Sequence, residues 1–215
     1  MACQQHFSLK LKAHILPRIA AIHHAAIPQA ILDSTVFDIS DDSNGYLSQL
    51  NHVLFKGNKI YHHRLLRINY TTYDLQREFD SINPRTDHWD IMLLANSHGD
   101  GHPFSYAQVL GIFHANIIYT GSGSKDFQSR RIKFLWVRWF EMLQDCSAWE
   151  KHTLDIVRFV PMTDEDVFGF VDPADVLRGC HIIPSFAGGR LHPDGIAMSH
   201  WAGDSDDWKQ YCINR

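Results

Sequence analysis

Chemistry is most readily done by four sets of residues. His98, Asp100 and His102, in the run HGDGH, are metal-ligand types at close spacing, and on an extended loop alternate residues can face one ion. A lone triplet on a Gly-rich turn binds weakly because ordering it costs entropy, so neither a metal nor a cofactor is expected. Asp74, Asp80, Asp87 and Asp90 offer the carboxylates of a two-metal nuclease, whose ions sit about 4 Å apart, but they fall in polar turns between strand-like runs. Cys180 and His181 are adjacent. Neighbouring residues on a strand point to opposite faces, so they suit a buried thiol better than a thiolate-imidazole pair. Gly121, Ser122, Gly123 and Lys125 lack the GxxxxGK[ST] spacing of a phosphate loop and read as a flexible linker. No catalytic residue emerges, and the chain is not expected to be an enzyme.

Two basic stretches are candidates for nucleic-acid contacts. Lys56, Lys59, Arg64 and Arg67 stand with His62 and His63 and no acid before Asp74, and Arg130, Arg131 and Lys133 follow Lys125. Pairing them with phosphates would release counterions and make binding fall steeply with salt. The plainer reading is a solvated strand face. From Asp164 to Asp175 five carboxylates run without a Lys or Arg, a face that would repel DNA or attract basic histone tails. Phe134, Trp136, Trp139 and Phe140 form the densest aromatic group, around Arg138. On an alternating strand Phe134, Trp136 and Arg138 share one face and Leu135, Val137 and Trp139 the other, so most of these rings belong to a core. Trp139, Phe140 and Trp149 are the candidates for an aromatic cage around a methylated ammonium.

The elements that must position these residues follow from periodicity. Phe7, Leu11, Ile15, Ile19 and Ile22 recur every three or four residues, which predicts an amphipathic helix over 6–22, kinked or divided at Pro17. A polar, turn-forming run ending at Gly45 reads as a linker. Turn chemistry at Lys56-Gly57-Asn58-Lys59 precedes an extended stretch from Ile60 to Tyr73. Further strands are expected over 90–95, 104–119 (with a bulge or bend at Gly111), 130–141, 154–161, 167–171 and 176–183. Many short strands with turns between them predict a mainly-β fold, a small partly open barrel, behind one N-terminal helix. The boundaries are residues 1–49 for helix and linker, 50–186 for the barrel and 187–215 for a tail. With Trp201, Trp208 and Tyr211 as its large anchors, that tail is expected to be loosely ordered unless something packs on it.

Composition bounds the function further. The chain has 215 residues, 45% hydrophobic and 20% charged, with a formal net charge of −4; any nucleic-acid surface must therefore be local. Four cysteines without a CxxC pair argue against a zinc ribbon or a secreted disulfide framework. No apolar run reaches the roughly 18–20 residues that span a bilayer, and the N-terminus lacks signal-peptide order. An intracellular protein without a membrane or small-molecule partner is expected. The 15 histidines are scattered and will carry the net charge towards positive below about pH 6.5.

Five blocks carry a family resemblance: NKIYHHRLLRINYTTYDLQREFDSINPRTDHWDIMLL (58–94), HPFSYAQVLGIFHANIIY (102–119), RRIKFLWVRWFE (130–141), VDPADVLRGCHIIPSF (171–186) and DDWKQYCINR (206–215). With them the chain resembles the C-terminal region of proteins encoded by Plavaka-type elements, CACTA-like DNA transposons of mushroom-forming fungi. The resemblance implies a transposon-derived protein whose ribonuclease-H-like catalytic domain lies upstream of these blocks, so that this chain is a non-catalytic fragment, nuclear in location. The order of the middle blocks is also similar to the bromo-adjacent homology (BAH) module of chromatin proteins, in the pattern of YAQVLGIF, FLWVRWF and VLRGCHII. That likeness implies a partly open, SH3-like β-barrel that binds nucleosomes or proteins; the extra block from Ile60 to Leu94 departs from it. Together these imply DNA or chromatin association. The rivals are a module docking on the transposase catalytic part and a metal-dependent nuclease using the aspartates.

Overall fold

A computed structural model describes residues 2–23, 48–74, 76–95, 102–143, 154–199 and 202–214. The expected linker up to Gly45, His98, Asp100, Trp149 and Trp201 lie outside them. The chain divides into two units, residues 1–62 with 113–134 and residues 63–112 with 135–215. No helix among the described residues is long and apolar enough to cross a membrane.

The first unit is a helix on a sheet. Helix α1 (Ala2–His23) runs unbroken through Pro17, forgoing the bond that the missing N–H would make one turn back. Its inward stripe is Leu11, Ile15, Leu16, Ile19, Ala20 and His23, all buried, whereas Ile22, expected on that stripe, is 46% exposed. The helical period carries the buried face from Ile19 to Ala20 and His23, which leaves Ile22 outside. Strand β1 (Val53–His63) pairs with the far half of a long strand, and Gly57 (φ 65°) and Asn58 (φ 54°) within it are consecutive left-handed residues, the backbone that the Lys56–Lys59 turn chemistry predicts. Arg18 of the helix donates to the Lys133 carbonyl at 2.7 Å, and His23 Nδ1 accepts from the Lys125 N–H at 3.3 Å. The 120–129 segment is held rather than free: the Ser124 hydroxyl bridges the Tyr119 and Asp126 carbonyls at 3.0 and 2.9 Å.

The second unit is built on β2 (Leu66–Thr71), β3 (Arg77–Ile82), β4 (Asp90–Leu94), β5 (Phe104–Tyr119), β6 (Arg130–Met142), β7 (Ile156–Phe159), β8 (Phe168–Val171), β9 (Val176–Gly179), β10 (His181–Pro184) and β11 (Tyr211–Asn214). Strands β5 and β6 also supply the sheet of the first unit. Seven strands pair in the order β10-β11-β7-β6-β5-β4-β9. The two ends of this path, β9 and β10, are separated in the chain by Cys180 alone, so the path returns on itself as a nearly closed antiparallel barrel. The protein is therefore mainly β with one N-terminal helix, and β5 runs unbroken through Gly111.

Both faces of the central strands are covered. Ile91, Leu93, Ala107, Val109, Leu135 and Val137 face a cluster closed by Ile68 and Ile82 of the β2–β3 hairpin and by Val171 and Val176. Their sequence neighbours face the other way. Met92, Tyr106, Phe140, Val157, Ile182, Tyr211 and Ile213 come from every strand of the ring except β9 and form a second cluster. That double coverage explains the near-continuous apolar run of β4. Along β6, the edge away from β5 is shared by β8 opposite Leu135–Arg138 and β7 opposite Phe140–Met142. Trp139 sits at the division, its N–H on the Val167 carbonyl and its own carbonyl taking the Val160 N–H.

The loosely ordered tail expected beyond residue 187 is corrected here. β11 pairs β10 from Tyr211↔Pro184 to Asn214↔His181 and also pairs β7. Tyr211 and Ile213 alternate into the core, the burial that a four-residue strand needs to repay its ordering. A barrel boundary at residue 186 would remove a strand that joins two others.

Candidate functional site

Strand alternation builds a polar layer at one end of the barrel interior. Asp90 lies on the face of Met92, Gln108 on that of Tyr106, and Arg138 on that of Phe140, so each stands two positions from an apolar residue of the inner cluster. Asp90 and Gln108 are directly opposed in the β4–β5 register. The segment before β11 adds Asp207, whose carboxylate accepts from the two terminal guanidinium nitrogens of Arg138, Nη1 and Nη2, at 3.1 and 2.5 Å. The guanidinium also lies 3.8 Å above the centre of the Phe159 ring, and Phe159 stacks on Phe140 at 4.0 Å. The Tyr211 hydroxyl accepts the Trp208 N–H at 2.9 Å. Asp90, Gln108, Asp207, Phe140, Phe159, Trp208 and Tyr211 line a cavity of about 580 Å³, whose wall also carries Asp87, Asp206 and His181, while Arg138 lies behind it.

The layer is polar beyond what its partners satisfy. Asp90 is 3% exposed, and burial pushes its carboxyl up to about 8, offset in part by the Ile182 backbone N–H that donates to it. Its Oδ1, the Gln108 Oε1 and the Arg138 Nε are buried without a hydrogen-bond partner. Burial likewise raises Asp207, against the lowering by Arg138. The Cys180 thiol, behind this wall, is pushed upward by burial and by Asp90, so it is a poor nucleophile, as the strand argument expects.

A second arrangement lies on the first unit. The ring of Tyr61 on β1 stacks on His114 of β5, centroids 4.6 Å apart and planes 10° from parallel. Arg131 of β6 donates to His114 Nδ1 at 3.4 Å. Lys59 shares the Tyr61 face and Lys133 that of Arg131 by alternation, and both lysines are exposed. The opposite face is apolar: Ala115, Ile117, Ile132 and Phe134 are buried.

The other expected contacts fall out as follows. Lys56, Arg64 and Arg67 are exposed, with Arg67 4.8 Å above the Phe79 ring. Arg130 is paired to Asp126 at 2.8 Å and is only half exposed. Lys56 and Lys59 belong to one unit and Arg64 and Arg67 to the other. Of the proposed cage, Trp139 packs with the Leu135–Val137 cluster and Phe140 with the barrel interior; consecutive strand residues face opposite ways, so these two rings do not enclose one ligand. Asp74 is occupied by the Thr72 hydroxyl, which holds its carboxyl below the ordinary range, and Asp80 accepts the Gly179 N–H at 2.8 Å. Only Asp87 and Asp90 of the four aspartates share the cavity wall. Among the described residues no three His, Cys, Asp or Glu gather closely enough to hold a metal, and His102 is engaged instead with Asp155 at 3.3 Å.

Sequence reasoning missed Asp207, Gln108 and Asp90 as a group. Two of them carried a signal: a polar or charged residue alternating with the core of a strand otherwise apolar on that face. Asp207 had none, because its strand neighbour β11 was not expected. No family model, curated protein or solved structure matches this chain.

Proposed function

We propose that the chain is a non-catalytic DNA- or chromatin-associating module, as its likeness to the C-terminal region of Plavaka-type transposon proteins implies, and that it docks through the outer face of the β1-β5-β6 sheet. The observation that carries this reading is the Tyr61–His114 stack flanked by the cations of Lys59, Arg131 and Lys133. A ring pair presented on a strand surface is a platform for a base, and cations beside it meet the backbone phosphates. Lys59, Arg131 and Lys133 show no carboxylate partner among the described residues, so their charge is available to a polyanion. The stack favours exposed bases over an intact duplex.

The test is binding of the purified chain to fluorescent single- and double-stranded DNA across a salt series, with a nucleosome as parallel ligand. Affinity should fall linearly on a log–log scale, and the triple variant K59Q/R131Q/K133Q should flatten the slope by about 2–3. Tyr61→Ala should cost about 1–3 kcal/mol on single strands. An unchanged slope in the triple variant, or no binding at micromolar protein, would sink the proposal. Nucleosome binding that survives without DNA binding would move it to a histone-directed face.

A specific observation also favours a protein-docking reading. Phe186, Ile196 and Met198 are 67%, 72% and 69% exposed within one stretch of the second unit, which suits a partner such as the transposase catalytic part. Self-association that disappears in an I196S/M198S variant would support it.

A further inference from the structure

We infer that the mouth of the barrel is a binding site for a primary alkylammonium group, which it takes between Asp90 and Gln108. The inference is independent of the DNA reading and rests on other residues. Asp90 Oδ1 and Gln108 Oε1 are both acceptors, both buried, both without a partner, and their residues are opposed in one strand pair. Such oxygens cost free energy until a donor reaches them. A group with several N–H donors on one atom satisfies both together, and an ammonium supplies that on a slim apolar stem.

The surroundings select the charge and the shape of the ligand. The charged side chains on the cavity wall are Asp87, Asp90, Asp206 and Asp207. Asp207 is already neutralised by Arg138 and Asp206 is paired with Arg190 at 3.0 Å, so the charge open to a ligand is that of Asp87, joined by that of Asp90 once its proton leaves. A phosphate or carboxylate would be repelled; a cation is drawn in. Phe140, Phe159 and Trp208 line the same space and give the methylenes of such a ligand apolar surface to cover. Occupancy is coupled to protons at Asp90, around which the other titratable or charged groups are Asp87, Asp206, His181 and Tyr211 on the wall, the Arg138–Asp207 pair, and the Cys180 thiol. The carboxyl of Asp90 titrates near 8 when no cation is bound and must ionise to pair with the ammonium, so uptake at neutral pH expels a proton to solvent.

The same chemistry comes either from a free amine or from a lysine side chain of a basic protein segment. The experiment is calorimetric titration of the full chain with propylammonium chloride, with a short peptide carrying one free lysine, with the same peptide ε-acetylated, and with tetramethylammonium, which has no N–H. Propylammonium or the lysine peptide should bind, the affinity rising about tenfold per pH unit from pH 6 to 8 and levelling above. The acetylated peptide and tetramethylammonium should bind at least tenfold more weakly. Tighter binding of the peptide than of propylammonium by tenfold or more identifies a protein segment as the source, and the reverse order a free amine; either supports the site. Asp90→Asn should lose at least tenfold and the pH dependence with it. Gln108→Leu should weaken binding while keeping that dependence, and near-UV circular dichroism checks that both variants fold. Tetramethylammonium matching propylammonium, an Asp90→Asn variant binding as the parent does, or no binding of either amine at 50 mM would each overturn the inference.

Discussion

The buried carboxyl of Asp90 makes a prediction about stability whose sign and size follow from its place in the barrel. In the unfolded chain this group titrates at the ordinary 3.8, and in the folded one at about 8. Between these values the native state holds a proton that the unfolded state has given up. Stability from this group is therefore unaffected below about pH 4, falls as pH rises, and reaches its full loss above about pH 8. Each unit is worth about 1.4 kcal/mol, so the passage from pH 5 to pH 8 costs about 4 kcal/mol at most, a large part of the stability of an ordinary domain. Asp90→Asn keeps the shape of the side chain and removes the titration. Urea denaturation of parent and variant at one-unit steps from pH 5 to 9 gives two stability profiles. Their difference should grow in favour of the variant by about 1.4 kcal/mol per unit to pH 8 and then flatten. Asp207, also raised by burial, is present in both proteins and cancels. A difference that stays level across the range would refute the reasoning, because it would mean that the Asp90 carboxyl is ionised at little cost where it lies.

Two further perturbations probe what holds that layer together. Arg138→Met leaves Asp207 as an unpaired charge in a site where the pair is 1% and 6% exposed, and should cost about 3–5 kcal/mol. Adding Asp207→Leu to it should recover much of that loss, which chemical denaturation of the single and double variants will show. Gly169→Ala drives a methyl group into the Trp139 indole nitrogen, well inside van der Waals contact, and should cost about 1–3 kcal/mol with a shift in tryptophan emission. Gly188→Ala, with its nearest new neighbour at 3.9 Å, should change stability by no more than about 0.5 kcal/mol.

The strands were most legible where one signal sufficed. Phe104–Tyr119 and Arg130–Met142 are rich in β-branched and aromatic residues, and their expected limits match the observed ones within a residue because polar turns bracket them. The helix was legible as a period but not in its phase: Ile22 is as apolar as Ile19, yet only the second lies on the face that the sheet covers. Tyr211–Asn214 could not be read from its own residues. Four residues carry no measurable alternation, and what makes them a strand is the pair of neighbours they meet, Pro184–His181 on one edge and Val157–Ile156 on the other. Closure of the ring is hidden for the same reason, since it depends on β9 and β10 taking different partners on either side of Cys180. The basic residues were visible as a list, and their distribution over two units was not.

What the structure adds to that list is a separation of charge that composition averages away. A net charge of −4 describes neither the face of Lys59, Arg131 and Lys133 nor the wall of Asp87 and Asp90. The first is exposed, where salt screens it over about 8–10 Å and binding must depend on ionic strength. In the second, Asp87 is exposed but Asp90 is buried, in a layer closed by rings and by the Arg138–Asp207 pair, where screening is weak and pH governs instead. The two surfaces therefore respond to different variables. Raising salt at fixed pH should silence a polyanion on the sheet face while leaving an ammonium in the barrel mouth, and lowering pH from 8 to 6 should do the opposite. A single partner that lost affinity in both experiments to the same degree would have to engage both places, whereas two partners would each answer to one. That crossed dependence separates a platform for nucleic acid from a pocket for a basic side chain, whatever the identity of either ligand.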